Sequence, residues 1–101
     1  MKLQMHSIHF NADQKLLDYI QKKAEKLNTF YDRITGGEVF LRINKDTTSH
    51  ENKVVEIKLA VPGHTLFAKE HSSTFEAAAD EAMEALKAQI KKYKEKLLER
   101  A

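Results

Sequence analysis

The chain of 101 residues is 42% hydrophobic and 32% charged, with a net charge of +2 and no cysteine. This composition is that of one globular domain, and the missing cysteines exclude disulfides and thiolate metal sites. No apolar run approaches a membrane span and no N-terminal stretch reads as a signal peptide, so a cytoplasmic protein without a membrane partner is expected.

Lys2 to Phe10 alternates loosely through Leu3, Met5, Ile8 and Phe10 and predicts a first strand. Asn11, with Gln14 three residues on, has the spacing of a capping box and predicts the start of a helix. Its apolar stripe is Leu16, Leu17, Ile20, Ala24, Leu27 and Tyr31. At 100° per residue, Lys15, Lys22 and Lys26 cluster on the opposite face, with Lys23 on one flank. Gly36-Gly37 breaks the chain, and Val39, Leu41 and Ile43 then alternate with polar or outward residues as a second strand. Lys45 to Asn52 is a polar loop. Lys53 to Val61 is the clearest strand, and Pro62-Gly63 supplies the two central residues of a type II turn leading into a fourth strand at Thr65–Glu70.

A second capping box, Ser73-Thr74-Phe75-Glu76, opens the last helix. Phe75, Ala79, Ala82, Leu86, Ile90, Tyr93 and Leu97 recur at steps of three and four, without Gly or Pro, as far as about Arg100. Such a helix is roughly 40 Å long, more than a small core requires. The order β-α-β-β-β-α predicts an α+β fold: a two-layer sandwich of a four-stranded sheet with two helices on one face. Its α-β-β-β-α portion resembles double-stranded RNA-binding domains in shape, but lacks their Gly-rich loop and their lysine-dense start of the last helix.

The last helix is polarised. Glu76, Asp80, Glu81 and Glu84 precede Leu86, whereas Lys87, Lys91, Lys92, Lys94, Lys96 and Arg100 follow it. Complementation of the helix dipole acts over one turn, and these bases span nearly four. Lys87, Lys91 and Lys94 fall on one flank of the apolar stripe, Lys92 and Lys96 on the other. Two helices on one sheet lie about 10 Å apart, so lysines at the seam can merge into one anion-binding patch. Catalytic patterns are missing. The five histidines make no metal pair at helical spacing, the glycines form no phosphate loop, and no Gly-x-Ser-x-Gly elbow occurs. A non-enzyme without cofactor, metal or small-molecule substrate is expected.

Two segments carry a resemblance. Lys23-Ala24-Glu25-Lys26-Leu27 followed by Phe30-Tyr31-Asp32-Arg33-Ile34 is similar to the end of the first helix in bacterial ribosome hibernation factors. These are also called ribosomal subunit interface proteins and, in an older name, sigma-54 modulation proteins. Gln89-Ile90-Lys91-Lys92-Tyr93-Lys94-Glu95-Lys96-Leu97 resembles that family's Gln-Leu-x-Lys-His-Lys-Asp-Lys-Leu, and Phe75-x-Ala77-Ala78-x-Asp80 also fits. Two positions depart from the pattern. Ala88 stands where a base is frequent, and Tyr93 replaces the histidine while keeping the capacity to stack or hydrogen-bond.

The resemblance implies the same fold and a ribosome-binding domain over residues 1–101, of the short class without a C-terminal dimerisation domain. It implies binding to the small ribosomal subunit and its rRNA in the mRNA and tRNA channel, silencing translation under stress. It also implies a second factor that promotes ribosome dimers. The residues expected to meet RNA are Lys22, Lys23, Lys26, Arg33, Lys87, Lys91, Lys92 and Lys94. The competing expectation is a protein-interaction module acting on a transcription factor, as the older family name suggests.

Overall fold

The computed structural model describes residues 1–45 and 50–99. Strand β1 (Leu3–Ile8) is followed by helix α1 (Gln14–Phe30), strands β2 (Gly36–Ile43), β3 (Lys53–Val61) and β4 (His64–Ser72), and helix α2 (Phe75–Glu99). The expected element order holds. Within the expected loop, residues 46–49 lie outside the described residues, as does the expected helix end at Arg100.

The four strands form one sheet in the order β1-β2-β3-β4. β1 runs parallel to β2, which demands a crossover that α1 supplies, and the remaining pairs are antiparallel. Val61 pairs with His64, so Pro62 and Gly63 are the two turn residues, and Gly63 takes the φ of 74° that a type II turn requires. Gly37 answers a different need. A Cβ there would stand 2.5 Å from the Lys58 carbonyl oxygen and 2.8 Å from a Leu59 methyl, so only glycine lets β3 approach.

Both helix starts differ from the expected caps. The first helix begins at Gln14, with the Asp13 carboxylate accepting from Lys15 N at 3.0 Å. At the second, Thr74 Oγ1 accepts from Ala77 N at 3.1 Å. Asp and Thr are good N-caps in their own right. In each case an overlapping capping-box spacing put the boundary early, by two residues at Asn11 and by one at Ser73.

Alternation puts Val39, Leu41, Val55, Ile57, Leu59, Leu66 and Ala68 on the covered sheet face, where they meet Leu16, Ile20, Ala24 and Leu27 of α1. From α2, Ala78, Ala79, Ala82, Leu86 and Ile90 complete the core. The small alanines let the backbone of α2 settle against β3 and β4. The predicted stripe is buried only through Ile90: Tyr93 is half-buried and Leu97 is 45% exposed. A nine-residue strand covers about 30 Å and a 25-residue helix about 37 Å, so α2 outruns the sheet it covers. The opposite sheet face is open and held by cross-strand contacts. His6 stacks on Phe40 at 4.8 Å, and Glu56 pairs with both Arg42 and Lys69.

Candidate nucleic-acid interface

Helices α1 and α2 run side by side in the same direction, and their contacts change character along the seam. At the start, Phe10 and Phe75 stack with centroids 5.0 Å apart. One turn further, the Tyr19 hydroxyl donates to both Asp80 oxygens, at 2.7 and 2.9 Å, and Lys23 Nζ lies 3.3 Å from the same carboxylate. The hydrogen bond to Asp80 is the main cause that raises the pKa of both Tyr19 and Lys23; burial adds for Tyr19, and the Asp80 charge for Lys23. Asp80 of α2 is therefore tied to α1.

At the far end of the seam the partner is an aromatic ring. Phe30, the last residue of α1, lies beneath two ammonium groups, Lys94 Nζ at 4.7 Å from its centroid and Lys87 Nζ at 5.5 Å. Lys94 also donates to the Phe30 carbonyl at 3.4 Å, one of the helix-end acceptors that α1 leaves unmet. The ring faces attract cations without neutralising them. Positive charge is thus held in place and left available.

The eight expected residues divide four ways. Lys87, Lys91 and Lys94 share the α1-facing flank of α2, and Lys26 lies between Lys23 and Phe30 on the matching flank of α1. Lys22 is exposed further out on α1, and Arg33 is exposed just after it. Lys23 is engaged by Asp80. Lys92 turns away from the seam, toward the β3–β4 turn. Among the described residues, no carboxylate lies within ion-pair distance of Lys22, Lys26, Arg33, Lys87, Lys91 or Lys94.

Sequence reasoning missed two parts of this site. Phe30 was legible as a motif residue but not as the support for Lys87 and Lys94, and Tyr19 drew no notice. Both act across more than 55 positions of chain, and no local spacing signals such a contact. Tyr93, the departure from the family pattern, does stack and hydrogen-bond. Its hydroxyl donates to Pro62 O at 2.6 Å, its ring meets Tyr31 edge-on at 5.9 Å, and His64 stacks on it at 6.0 Å. Burial, with the neighbouring Tyr93 second, raises the pKa of Tyr31. No group of three or more metal-ligating side chains occurs among the described residues, and no described helix is long and apolar enough to cross a membrane.

Comparison with known proteins gives a consistent set. The family model described as sigma 54 modulation protein / S30EA ribosomal protein matches residues 3–98. A ribosome hibernation promotion factor of Deinococcus radiodurans is 29% identical over 91 residues, covering 90% of this chain and 48% of that protein. This chain therefore spans about half of that relative's length. A ribosome hibernation promoting factor of Pseudomonas putida is 29% identical over 96 residues, covering 95% and 89%. Among solved structures, a ribosomal subunit interface protein from Coxiella burnetii is similar with a TM-score of 0.82 at 26% identity, over 93% of this chain and 98% of that one. The N-terminal domain of Thermus thermophilus Protein Y shares the fold, with a TM-score of 0.73 at 24% identity over 91% and 94%.

Proposed function

Because the chain belongs to the sigma 54 modulation protein / S30EA ribosomal protein family, we propose that it is a non-catalytic translation inhibitor acting on the small ribosomal subunit. In this reading it binds rRNA in the channel that mRNA and tRNA use, and so promotes ribosome hibernation under stress. The names of its relatives, ribosome hibernation factors and a ribosomal subunit interface protein, point the same way. The observation that carries the reading is the division of the seam. The Asp80 carboxylate is engaged by Tyr19 and Lys23, whereas Lys87 and Lys94 are fixed over Phe30 beside Lys26 and Lys91. Folded RNA presents phosphates densely, and release of their counterions drives binding to such a patch. Phosphate contacts position a protein without reading sequence, which suits a protein that blocks a channel.

Occlusion predicts inhibition without chemistry. Ribosomes inhibited by the protein, stripped of it in high salt and assayed again should regain full translation, and added mRNA or tRNA should compete with binding. Persistent inactivation after stripping, or inhibition of many ribosomes per molecule, would contradict the reading. A stable complex with a transcription factor and no ribosome association would favour the protein-interaction alternative.

A further inference from the structure

A second concave surface lies on the other side of α2, between its last turns and the β3–β4 turn. It has a volume of about 550 Å³, within the range of small-ligand sites, and Pro62, His64, Lys92, Tyr93, Lys96 and Leu97 form its working walls. Lys92 and Lys96 stand one helical turn apart, their Cβ atoms roughly 6 Å from each other. No carboxylate lines the groove. The Tyr93 hydroxyl bond to Pro62 O pins the turn to the helix, and the His64 ring lies nearly parallel to Tyr93, at an interplanar angle of 10°. One side of the exposed His64 ring is thus backed by Tyr93. Leu97, 45% exposed, offers an apolar surface nearby.

We infer that this groove takes one unstacked nucleotide of single-stranded RNA, its base against His64 and Leu97 and its phosphate between Lys92 and Lys96. The inference rests on reading the chain as an RNA binder and adds a site to it. Two features favour a nucleotide. Bases stack on any fixed aromatic plane regardless of identity, and the charged side chains that line the groove, Lys92 and Lys96, are both cationic. Lys92 also follows Lys91 directly, so a strand leaving the helix seam meets the groove by passing around α2. An extended peptide is disfavoured by Gln89. Its side-chain amide accepts from Phe67 N at 3.3 Å and donates to Phe67 O at 2.7 Å. Those are the edge groups of β4 that an added strand would have to pair.

The probe is a uridine hexanucleotide added to the isotope-labelled chain, with amide shifts recorded by NMR. Gly63, His64, Lys92 and Lys96 should shift, and His64→Ala should weaken binding about five- to 150-fold, the range expected for one stacked base. The double variant Lys92→Ala/Lys96→Ala should abolish the groove shifts, and circular dichroism of each variant checks that it is folded. Shifts confined to the helix seam would overturn the inference. So would an acidic, leucine-containing octapeptide that fills the groove when RNA does not. Sedimentation with small subunits separates this result from the reading it rests on. Retention on subunits with a silent groove removes only the groove. A groove filled by the hexanucleotide without retention on subunits keeps the groove and removes the ribosomal role.

Discussion

Truncating Phe30 tests whether the aromatic ring holds the basic patch in place. Phe30 is 37% exposed, so nearly two thirds of its surface is buried. Full burial of such a side chain contributes about 1.5–3 kcal/mol, which gives roughly 1–2 kcal/mol for this fraction. Two cation–π contacts at an exposed site add about 0.5–1 kcal/mol each. Phe30→Ala should therefore cost about 2–4 kcal/mol, a fall in Tm of at least about 8 °C for a domain of this size. Much of that loss is plain packing, so a double-mutant cycle with Lys94→Met is the sharper assay. Met keeps the aliphatic body of the side chain and removes the charge. Urea denaturation of the four proteins should give a coupling of about 0.5–1 kcal/mol between positions 30 and 94. A coupling near zero would refute the idea that the ring positions the ammonium group.

Other consequences can be checked on the purified chain. Gly37→Ala should destabilise by about 2–3 kcal/mol, since its Cβ would press on a backbone carbonyl that cannot turn away. Gly36→Ala, whose Cβ would meet only Lys2 O at 3.4 Å, should stay within about 1 kcal/mol of wild type; equal costs would contradict the close approach of β2 and β3. The raised pKa values of Tyr19 and Lys23, above their ordinary 10.0 and 10.5, mean that the folded state favours both protonated forms. Their contribution is complete below the unfolded values and is lost as pH rises through the folded ones. Tm should thus fall as pH rises above about 10, and less steeply in Tyr19→Phe, which lacks the titrating hydroxyl. Parallel curves would show that the Asp80 cluster does not control this loss.

The fold was legible because each element carries its own period. β3 was readable to the residue from Val55, Ile57, Leu59 and Val61, and the turn from the single Pro-Gly pair. Boundaries that depended on choosing among neighbouring polar residues slipped. Asn11 and Asp13 can both cap α1, as Ser73 and Thr74 can α2, and only the path of the chain decides between them. The end of the buried stripe was also hidden. Leu97 continues the helical period, but burial needs a sheet underneath, and a period does not report where the sheet stops. The candidate site was legible as a set of lysines, not as an arrangement. Charge alone ranks Lys23 with Lys26, and only the pairing with Asp80 separates them. It likewise ranks Lys92 with Lys91, although the helix turns them toward different surfaces.

The most direct test of the ribosomal reading reverses charge on the seam without touching the core. Lys91→Glu/Lys94→Glu changes one exposed residue and one half-buried residue, and loss of the Lys94–Phe30 contact should lower Tm by about 2–8 °C while leaving the chain folded. Co-sedimentation with small ribosomal subunits is then measured across a salt series. With Lys22, Lys26, Arg33, Lys87, Lys91 and Lys94 neutralising about six phosphates, log affinity of the wild type should fall against log salt with a slope near −4 on the single-strand scale. The folded double variant should lose most of its binding at moderate salt and show a slope shallower by at least about 1. Undiminished sedimentation of the folded variant, with an unchanged slope, would contradict the assignment of this surface to RNA.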